Sequence, residues 1–219
     1  MPFSQSSQIS PIINLIEKEQ PSTLLDVGTG FGQYGFLART NLEHLNLFEV
    51  DGPHSRRREK TEWSIVIDGI EAFPKYITPV HDYAYDSIFI GDAIDLLPNM
   101  NQAYDMVLAI DILEHFDKDR GLQFIELLQL ASRGSVIIST PKEFVHQVVE
   151  ANPYENHRSV WTLDELEALG YTQISDNDES WIVGRKDCEK FTGQHGIAAA
   201  HGRASTFREN KYAAINSEI

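Results

Sequence analysis

The sequence is poor in cysteine, and Cys188 is the single one among 219 residues. One cysteine excludes a disulfide within the chain and a zinc site built from cysteine thiolates. Long apolar runs are also missing, since none approaches the roughly 20 residues that a membrane-spanning helix requires. The first residues, 1–8, lack the basic start and the apolar core of a signal peptide. We therefore expect a cytoplasmic protein with no membrane partner.

Basic residues are scarce too, with 18 Lys and Arg against 33 Asp and Glu and a formal net charge of -15. Non-specific binding to nucleic acids relies on Lys and Arg contacts with phosphates, which such a charge opposes. A nucleic-acid partner is therefore disfavoured, whereas a small molecule or a neutral or basic peptide fits the charge. Hydrophobic residues make up 42% of the chain, which excludes a disordered protein. The length allows one domain with at most an additional segment.

Short β-rich runs alternate with helical patterns, which is typical of an α/β fold with a mostly parallel sheet. Strands are predicted over residues 23–27, 63–70, 87–90, 104–110 and 135–139, and an antiparallel pair over 171–174 and 181–183. Helices are predicted over 9–18, 33–42, 119–131 and 162–169. Thr162 and Glu165 form a capping box for the last helix. The polar stretch 51–62 is predicted as a surface loop or insertion. We expect one domain over 1–185 and a tail or short extension over 186–219.

The first predicted strand leads directly into a glycine-rich turn at residues 28–32, Gly-Thr-Gly-Phe-Gly. A strand that opens through glycines into a helix lets the backbone approach a ligand closely. In one interpretation, Gly30, Gly32 and Gly35 form the G-x-G-x-x-G pattern of an NAD(P)-dependent oxidoreductase. In the other, Asp26 precedes G-x-G-x-G and places a carboxylate beside the ligand. A carboxylate there suits a cofactor with a positive amino group and repels a pyrophosphate, so we prefer the second interpretation.

Carboxylates also follow the next three predicted strands, at Glu71, Asp92 and Asp111. The carboxyl ends of parallel strands line the ligand crevice of an open α/β sheet. Together with Asp26, four successive strands therefore end in an acid at one edge. Helix capping or solvation explains one such residue readily, but it does not explain four in series. The set favours a cationic or hydroxyl-rich cofactor.

In these segments the sequence resembles the class I S-adenosylmethionine-dependent methyltransferases of the small-molecule type. The resemblance extends over about residues 9–183 and rests on LLDVGTGFG (24–32), IDGIE (67–71), IGDA (90–93), AIDILEHF (109–116) and WTLDELEALGY (161–171). It implies a Rossmann-like three-layer α/β sandwich with a mostly parallel, seven-stranded sheet whose last strand is antiparallel. It also implies methyl transfer from S-adenosylmethionine to an O, N or C nucleophile of a small molecule or peptide, with S-adenosylhomocysteine as the product.

The resemblance assigns parts of the cofactor to individual residues. The residues that would lie beside the methionine portion are Asp26, Gly28, Thr29, Gly30 and Gly32. The chain around Asp111 would hold the amino group of that portion. Asp92 would bond the adenine amino group, and the amide of Ala93 would bond a ring nitrogen.

The ribose hydroxyls would be bound by Glu71, although Glu49 and Asp51 lie closer to the interval after the glycines that dinucleotide-binding enzymes show. Glu71 is preferred because the interval from it to Asp92 then holds one helix and one strand. The choice of Glu49 leaves an oversized segment before Asp92. The choice of Glu71 instead requires a long insertion after the helix that follows the glycines.

The candidate catalytic bases are His115 and His157. The sulfonium methyl is already an activated electrophile, so alignment of the acceptor accounts for much of the acceleration. A base is needed only where the acceptor holds its proton at pH 7, and the pKa of histidine suits that role. Ligands for a metal ion are also offered by Asp111, Glu114, His115 and Asp117. Acids at the start of a helix are more readily explained by the helix dipole, so no metal is expected.

The segment 142–161, after the fifth predicted strand, has no regular period and is rich in Asn, His, Tyr and Pro. Loops at this position face the mouth of the crevice in an α/β architecture. We therefore predict that Tyr154, His157 and Trp161 contact the acceptor. A non-catalytic, methyltransferase-like binding protein is a further alternative, because intact cofactor motifs do not demonstrate turnover. The sequence leaves the reacting atom of the acceptor and the oligomeric state open.

Overall fold

A computed structural model describes residues 5–186 of the chain. Its strands are β1 (Thr23–Val27), β2 (Phe48–Asp51), β3 (His54–Arg57), β4 (Val66–Glu71), β5 (Ser87–Ile90), β6 (Tyr104–Ile110), β7 (Ser132–Pro141), β8 (Thr172–Ser175) and β9 (Ser180–Lys186). Its helices are α1 (Ser6–Glu19), α2 (Gln33–Leu42), α3 (Pro79–Ala84), α4 (Ala93–Leu96), α5 (Lys118–Ala131) and α6 (Leu163–Ala168). The tail expected over 186–219 lies outside the described residues from residue 187 onward, and so does Cys188.

Seven strands within residues 5–186 form one sheet in the order β5-β4-β1-β6-β7-β9-β8. Neighbouring strands are parallel except around β9, which runs antiparallel to both β7 and β8. Helices cover both faces of this sheet. The predicted Rossmann-like three-layer sandwich, with an antiparallel last strand, is therefore confirmed.

The central strand β1 shows how sequence produces these layers. Successive side chains of a strand point to opposite faces of the sheet. Leu24 packs in the core that includes α1, α2 and α3, whereas Leu25 packs in the core that includes α4, α5 and α6. Both leucines are fully buried, and burial of such a side chain contributes about 1.5–3 kcal/mol. A strand covered on both faces has a continuous apolar run, which TLLDV follows except at Asp26.

The stretch 51–62, predicted as a surface loop or insertion, contributes to a hairpin. Strands β2 and β3 pair antiparallel, and Gly52 lies between them in the left-handed region with a φ of 57°. Arg56 on β3 contacts Glu49 on β2 at 2.6 Å and Glu62 at 2.8 Å. All four residues of β3 are exposed, so this strand lacks the apolar alternation that would have revealed it. The hairpin is separate from the main sheet and leaves its strand order unchanged.

The helix α6 begins as predicted. The Thr162 hydroxyl accepts the amide of Glu165 at 3.2 Å, and the Glu165 carboxylate accepts the amide of Thr162 at 2.8 Å. The two bonds satisfy donors that a helix N-terminus otherwise leaves unpaired.

As for membrane insertion, the helices found in residues 5–186 include none with both the length and the apolar character to cross a bilayer.

Candidate functional site

A cavity of about 700 Å³ opens at the carboxyl ends of β1, β4, β5 and β6. This volume lies within the usual range for small-molecule and cofactor sites. The predicted site residues that line it are Gly28, Thr29, Gly30, Glu71, Asp92, Ala93, Asp111, His115, Tyr154 and His157. Asp26, Gly32 and Trp161 are not among the described residues that line it. One edge of the sheet therefore brings together most of the residues that the sequence indicated.

The glycine-rich turn requires glycine at three positions. Gly28, Gly30 and Gly32 have φ values of 80°, 53° and 87°, in the left-handed region that side chains disfavour. The amides of Gly28 and Thr29 both donate to the carbonyl of Ile70, at 2.9 and 3.1 Å, and so tie the turn to β4. The turn therefore presents backbone of defined shape to the cavity.

Asp26 lies beneath this turn and is 2% exposed. Its carboxylate accepts a hydrogen bond of 2.6 Å from the Tyr85 hydroxyl, which itself accepts one of 3.1 Å from the amide of Gly35. Burial raises the pKa of Asp26 to about 6. The expected contact of Asp26 with a cofactor is thus corrected, because this side chain holds the base of the turn. Gly32 is likewise not among the described residues that line the cavity, and the position of its absent side chain faces Val80 and His81.

Glu71, at the end of β4, reaches the cavity, whereas Glu49 does not. The Glu71 carboxylate accepts the amides of Gly30 and Phe73, each at 2.8 Å. Burial of this carboxylate raises its pKa. Glu49 lies on the separate hairpin, where it pairs with Arg56 and its side chain is 40% exposed. The structure therefore places the carboxylate of Glu71, and not that of Glu49, beside the glycine-rich turn.

Asp92 and Ala93 lie at the start of α4, after β5. The Asp92 carboxylate accepts the amide of Ile94 at 2.9 Å and a bond of 3.1 Å from the guanidinium of Arg120 on α5. Both Asp92 and Ala93 line the cavity. The Arg120 contact was not anticipated from the sequence, because the two residues are far apart in the chain and no motif links them.

Asp111 follows β6 in an unusual backbone conformation, with a φ of 53°. Asp tolerates this left-handed region better than most residues, but the conformation still costs about 1–3 kcal/mol. The amide of Asp111 donates to the carbonyl of Ser139 at 2.9 Å, and the Ser139 hydroxyl donates to its carboxylate at 3.1 Å. These bonds between the ends of β6 and β7 hold the Asp111 carboxylate at the cavity wall.

His115 and His157 both line the cavity and contact each other, with ring centroids 5.0 Å apart. Burial lowers the pKa of both imidazoles, so both are neutral at pH 7. The neighbouring Glu114 carboxyl is 3% exposed, accepts the Thr140 hydroxyl at 3.1 Å, and has a pKa well above its ordinary range because of burial. The chemistry that two neutral imidazoles supply is proton acceptance.

The ligand-type atoms of Glu114, His115 and His157 also lie within 4.8 Å of one another. The sequence had suggested a different set of possible metal ligands, with Asp111 and Asp117 in place of His157. The contact between His115 and His157 arises because residues 142–161 fold back over the end of β6. The amides of Arg158 and Ser159 donate to the carbonyl of Glu114 at 2.8 and 3.2 Å. These bonds join the segment to the residues after β6.

Tyr154 and Trp161 have opposite environments. Tyr154 lines the cavity and is 50% exposed. Trp161 is 1% exposed and packs in the core, so the prediction that it contacts the acceptor is corrected. The physical reason is its position just before the N-cap of α6, where an apolar residue packs against Leu166 one turn into the helix. The capping box in the sequence already carried the signal for this buried role.

Tyr76 also lines the cavity, although no motif in the sequence indicated it. Its ring makes edge contacts with Phe31 of the glycine-rich turn at 5.2 Å and with Phe73 at 4.9 Å. Burial raises the pKa of the Tyr76 hydroxyl. Pro74–Tyr76 forms a single short turn of 3-10 helix, which leaves no periodic pattern in the sequence.

No protein-family model matches the sequence, and no curated protein matches it. Solved structures do match its fold. An O-methyltransferase family protein from Burkholderia thailandensis superimposes with a TM-score of 0.54 and 14% identity, over 81% of this chain and 56% of that chain. The chain therefore spans little more than half the length of the Burkholderia protein. PH0226 protein from Pyrococcus horikoshii OT3 has a TM-score of 0.54 and 17% identity, over 84% of this chain and 92% of that chain.

A third similar structure is magnesium protoporphyrin IX methyltransferase from Synechocystis PCC 6803 with bound S-adenosylhomocysteine. Its TM-score is 0.52 and its identity is 12%, over 82% of this chain and 81% of that chain. At such identities the likeness establishes the fold. The chain has the class I S-adenosylmethionine-dependent methyltransferase fold, as its motifs indicated.

Proposed function

We propose that the protein is an enzyme that transfers a methyl group from S-adenosylmethionine to an O, N or C nucleophile of a small molecule or peptide. The observation that carries the proposal is one cavity lined by the glycine-rich turn and by acids from three successive strand ends. Those acids are Glu71, Asp92 and Asp111. A cofactor with a sulfonium, an amino group and a ribose diol offers partners to each of them.

The residues present fit this cofactor. Glu71 accepts two amides from fixed backbone and keeps further lone pairs for ribose hydroxyls. We assign the adenine to Asp92 and Ala93, at the N-terminus of α4. We assign the amino group of the methionine portion to the chain around Asp111, and the methionine portion itself to the backbone of residues 28–30. When bound, the cofactor supplies an activated methyl group.

The chain's own residues would then align the acceptor and manage its proton. His115 and His157 are neutral at pH 7, so either imidazole can accept a proton from an alcohol or an ammonium. The half-exposed ring of Tyr154 also lines the cavity and is assigned to acceptor contact. An acceptor that has already lost its proton would need only alignment and exclusion of water.

The oxidoreductase alternative is less well supported. A pyrophosphate in this cavity would face the carboxylates of Glu71, Asp92 and Asp111, which repel it. Gly35, the third glycine of the dinucleotide pattern, packs against Tyr85 beneath the turn. A non-catalytic binding protein would use the same cavity and would differ only in turnover.

Thermal unfolding with S-adenosylmethionine, S-adenosylhomocysteine and NADH in parallel tests the cofactor. A ligand at about 100 times its Kd adds roughly 2.7 kcal/mol, which raises Tm by about 5–10 °C for a chain of this size. We expect both S-adenosyl compounds to stabilise the protein and NADH to leave Tm unchanged. Stabilisation by NADH alone would reverse the assignment.

A pair of variants with the same chemical change localises the ribose site. Glu71→Gln is expected to raise the Kd of S-adenosylhomocysteine by roughly 10- to 100-fold, since hydrogen bonds to charged groups contribute about 1.5–3 kcal/mol. Glu49→Gln, on the hairpin, should leave that Kd unchanged. Turnover is then measured as S-adenosylhomocysteine release with alcohols, phenols, amines, carboxylates and peptides. Tight cofactor binding without release in any mixture would favour the non-catalytic alternative.

A further inference from the structure

His81 on α3 is 2% exposed and lies outside the cavity, yet it contacts the glycine-rich turn. Its Nδ1 accepts the amide of Thr78 at 3.0 Å. An amide nitrogen can only donate, so Nδ1 carries no proton in the neutral ring, and the proton is on Nε2. Burial lowers the pKa of His81, which favours this neutral form.

The protonated Nε2 lies 3.1 Å from the hydroxyl oxygen of Thr29. In this pair Nε2 is therefore the donor, and the hydroxyl hydrogen of Thr29 is left for another acceptor. The backbone of Gly30 is a further hydrogen-bond partner of the imidazole. The acceptor of the Thr29 hydroxyl is Oε2 of Glu71, at 3.5 Å, which also accepts the amide of Gly30. A directed chain of donors thus runs from the Thr78 amide through His81 and Thr29 to Glu71.

The imidazole has little freedom to leave this position. It stacks on the ring of Tyr85 with centroids 5.3 Å apart and an interplanar angle of 19°. A side chain at Gly32 would lie 3.3 Å from its Cε1. Since Thr78 is also the N-cap of α3, the ring links the start of that helix to the turn after β1.

We propose that His81 is a positioning residue, which acts through Thr29 to orient the carboxylate of Glu71 for the ribose hydroxyls. The inference rests on the proposed function, because it assigns the ribose of S-adenosylmethionine to Glu71. A purely structural role would need only the bond from Thr78 and the stack on Tyr85. The donor bond to Thr29 is the part that reaches the cavity.

Two substitutions at His81 test the roles of Nδ1 and Nε2 separately. Asn places a carbonyl oxygen near the position of Nδ1, so His81→Asn keeps an acceptor for Thr78 and loses the donor to Thr29. Gln places an amide nitrogen near the position of Nε2, so His81→Gln keeps that donor. We expect His81→Asn to raise the Kd of S-adenosylhomocysteine about three- to tenfold, as for loss of one buried hydrogen bond. His81→Gln should stay within about twofold of the wild-type Kd on the same basis.

The decisive measurement is calorimetric titration with S-adenosylhomocysteine and with its analogue lacking both ribose hydroxyls. The analogue should bind the wild type and His81→Asn equally, because it has no hydroxyl for Glu71. Equal weakening of both ligands by His81→Asn would show a structural role and overturn the proposal. Where His81→Asn fails to fold, Thr29→Val replaces it, since it removes the intermediate hydroxyl and leaves the ring in place.

Absence of S-adenosylhomocysteine binding to the wild type would overturn the proposed function, and this inference with it. Binding to the wild type with no change in His81→Asn or Thr29→Val would overturn the inference alone. The double variant His81→Asn/Thr29→Val should bind S-adenosylhomocysteine no more weakly than Thr29→Val, because both changes break the same chain.

Discussion

The hydroxyl of Tyr85 and the carboxylate of Asp26 form a buried hydrogen bond of 2.6 Å beneath the glycine-rich turn. Tyr85 also accepts the amide of Gly35, so one hydroxyl joins the end of β1 to the start of α2. Tyr85→Phe would remove both bonds while keeping the ring. We expect a loss of about 1–3 kcal/mol in the free energy of unfolding, measured by urea denaturation.

A control for this change is Tyr83→Phe, on the adjacent helix α3. The ring of Tyr83 packs against Trp63 and Phe36 near the surface. Its substitution should alter the free energy of unfolding by less than about 0.5 kcal/mol. An equal effect of the two substitutions would contradict a special role for the Asp26–Tyr85 bond.

The raised pKa of Asp26 predicts a pH dependence of stability. A carboxyl with a pKa near 6 in the folded state and about 4 in the unfolded state binds more protons when folded. Its contribution is therefore present below about pH 4 and is lost as the pH rises to about 6. Asp26→Asn should remove this pH-dependent contribution to the free energy of unfolding, which amounts to up to about 3 kcal/mol. Denaturation profiles from pH 4.5 to 7.5 would show a shallower fall for the variant; parallel profiles would refute the assignment.

Trp161 is expected to stabilise the fold and to have no role in binding. Trp161→Ala should cost about 3–5 kcal/mol, as for other large core side chains. Tyr154→Ala, in the same segment but half-exposed, should change the free energy of unfolding by less than about 0.5 kcal/mol. Tyr154→Ala should instead raise the KM for the acceptor. Stability near the wild-type value in Trp161→Ala would contradict its placement in the core.

If one of the two cavity histidines is the catalytic base, the rate should fall on the acid side of the pH–rate profile. A base must be neutral to accept a proton, and burial holds both imidazole pKa values below the ordinary value. With an acceptor that holds its proton, kcat/KM should fall as the pH drops below about 6.5. Of His115→Asn and His157→Asn, the one that removes the base should lower kcat by about 10²–10⁴ and abolish that limb. His54→Asn, on the exposed strand β3, serves as the control.

Chelation tests the expectation that no metal is required. Burial raises the pKa of the Glu114 carboxyl well above its ordinary range, which disfavours the ionised form that binds a cation. Dialysis against a chelator should therefore leave Tm and turnover unchanged. A rise in Tm on addition of Zn²⁺ or Mn²⁺ that disappears in Glu114→Gln would instead assign a cation to Glu114, His115 and His157.

The sequence predicted which residues gather at one edge of the sheet, because a parallel sheet converts chain position into spatial position. Glu71, Asp92 and Asp111 follow parallel strands, so the fold brings them to one edge without further information. Side-chain environment was harder to predict. Nothing in the sequence around Asp26 shows whether its carboxylate faces a ligand or accepts a hydrogen bond from Tyr85. That hydrogen bond depends on packing across the turn.

The same limit explains the hairpin and Trp161. Residues 54–57 are held in a strand by pairing with β2, whereas their own pattern is that of a polar loop. Trp161 was predicted to contact the acceptor because of the composition of segment 142–161. Its place before the N-cap of α6 indicated burial. The motif Thr162–Glu165 was itself read correctly, since a capping box depends only on local spacing.

The position of β1 in the sheet has a consequence for how the chain is made. Its two neighbours, β4 and β6, are synthesised later, and the second ends only at Ile110. At the usual elongation rate of about 5–20 residues per second, the nascent β1 waits roughly 4 to 17 seconds for its second partner. Through that interval its apolar run and its unpaired backbone edge are accessible to other chains. The nascent chain therefore carries a buried-type strand with one unpaired edge until Ile110 has been made.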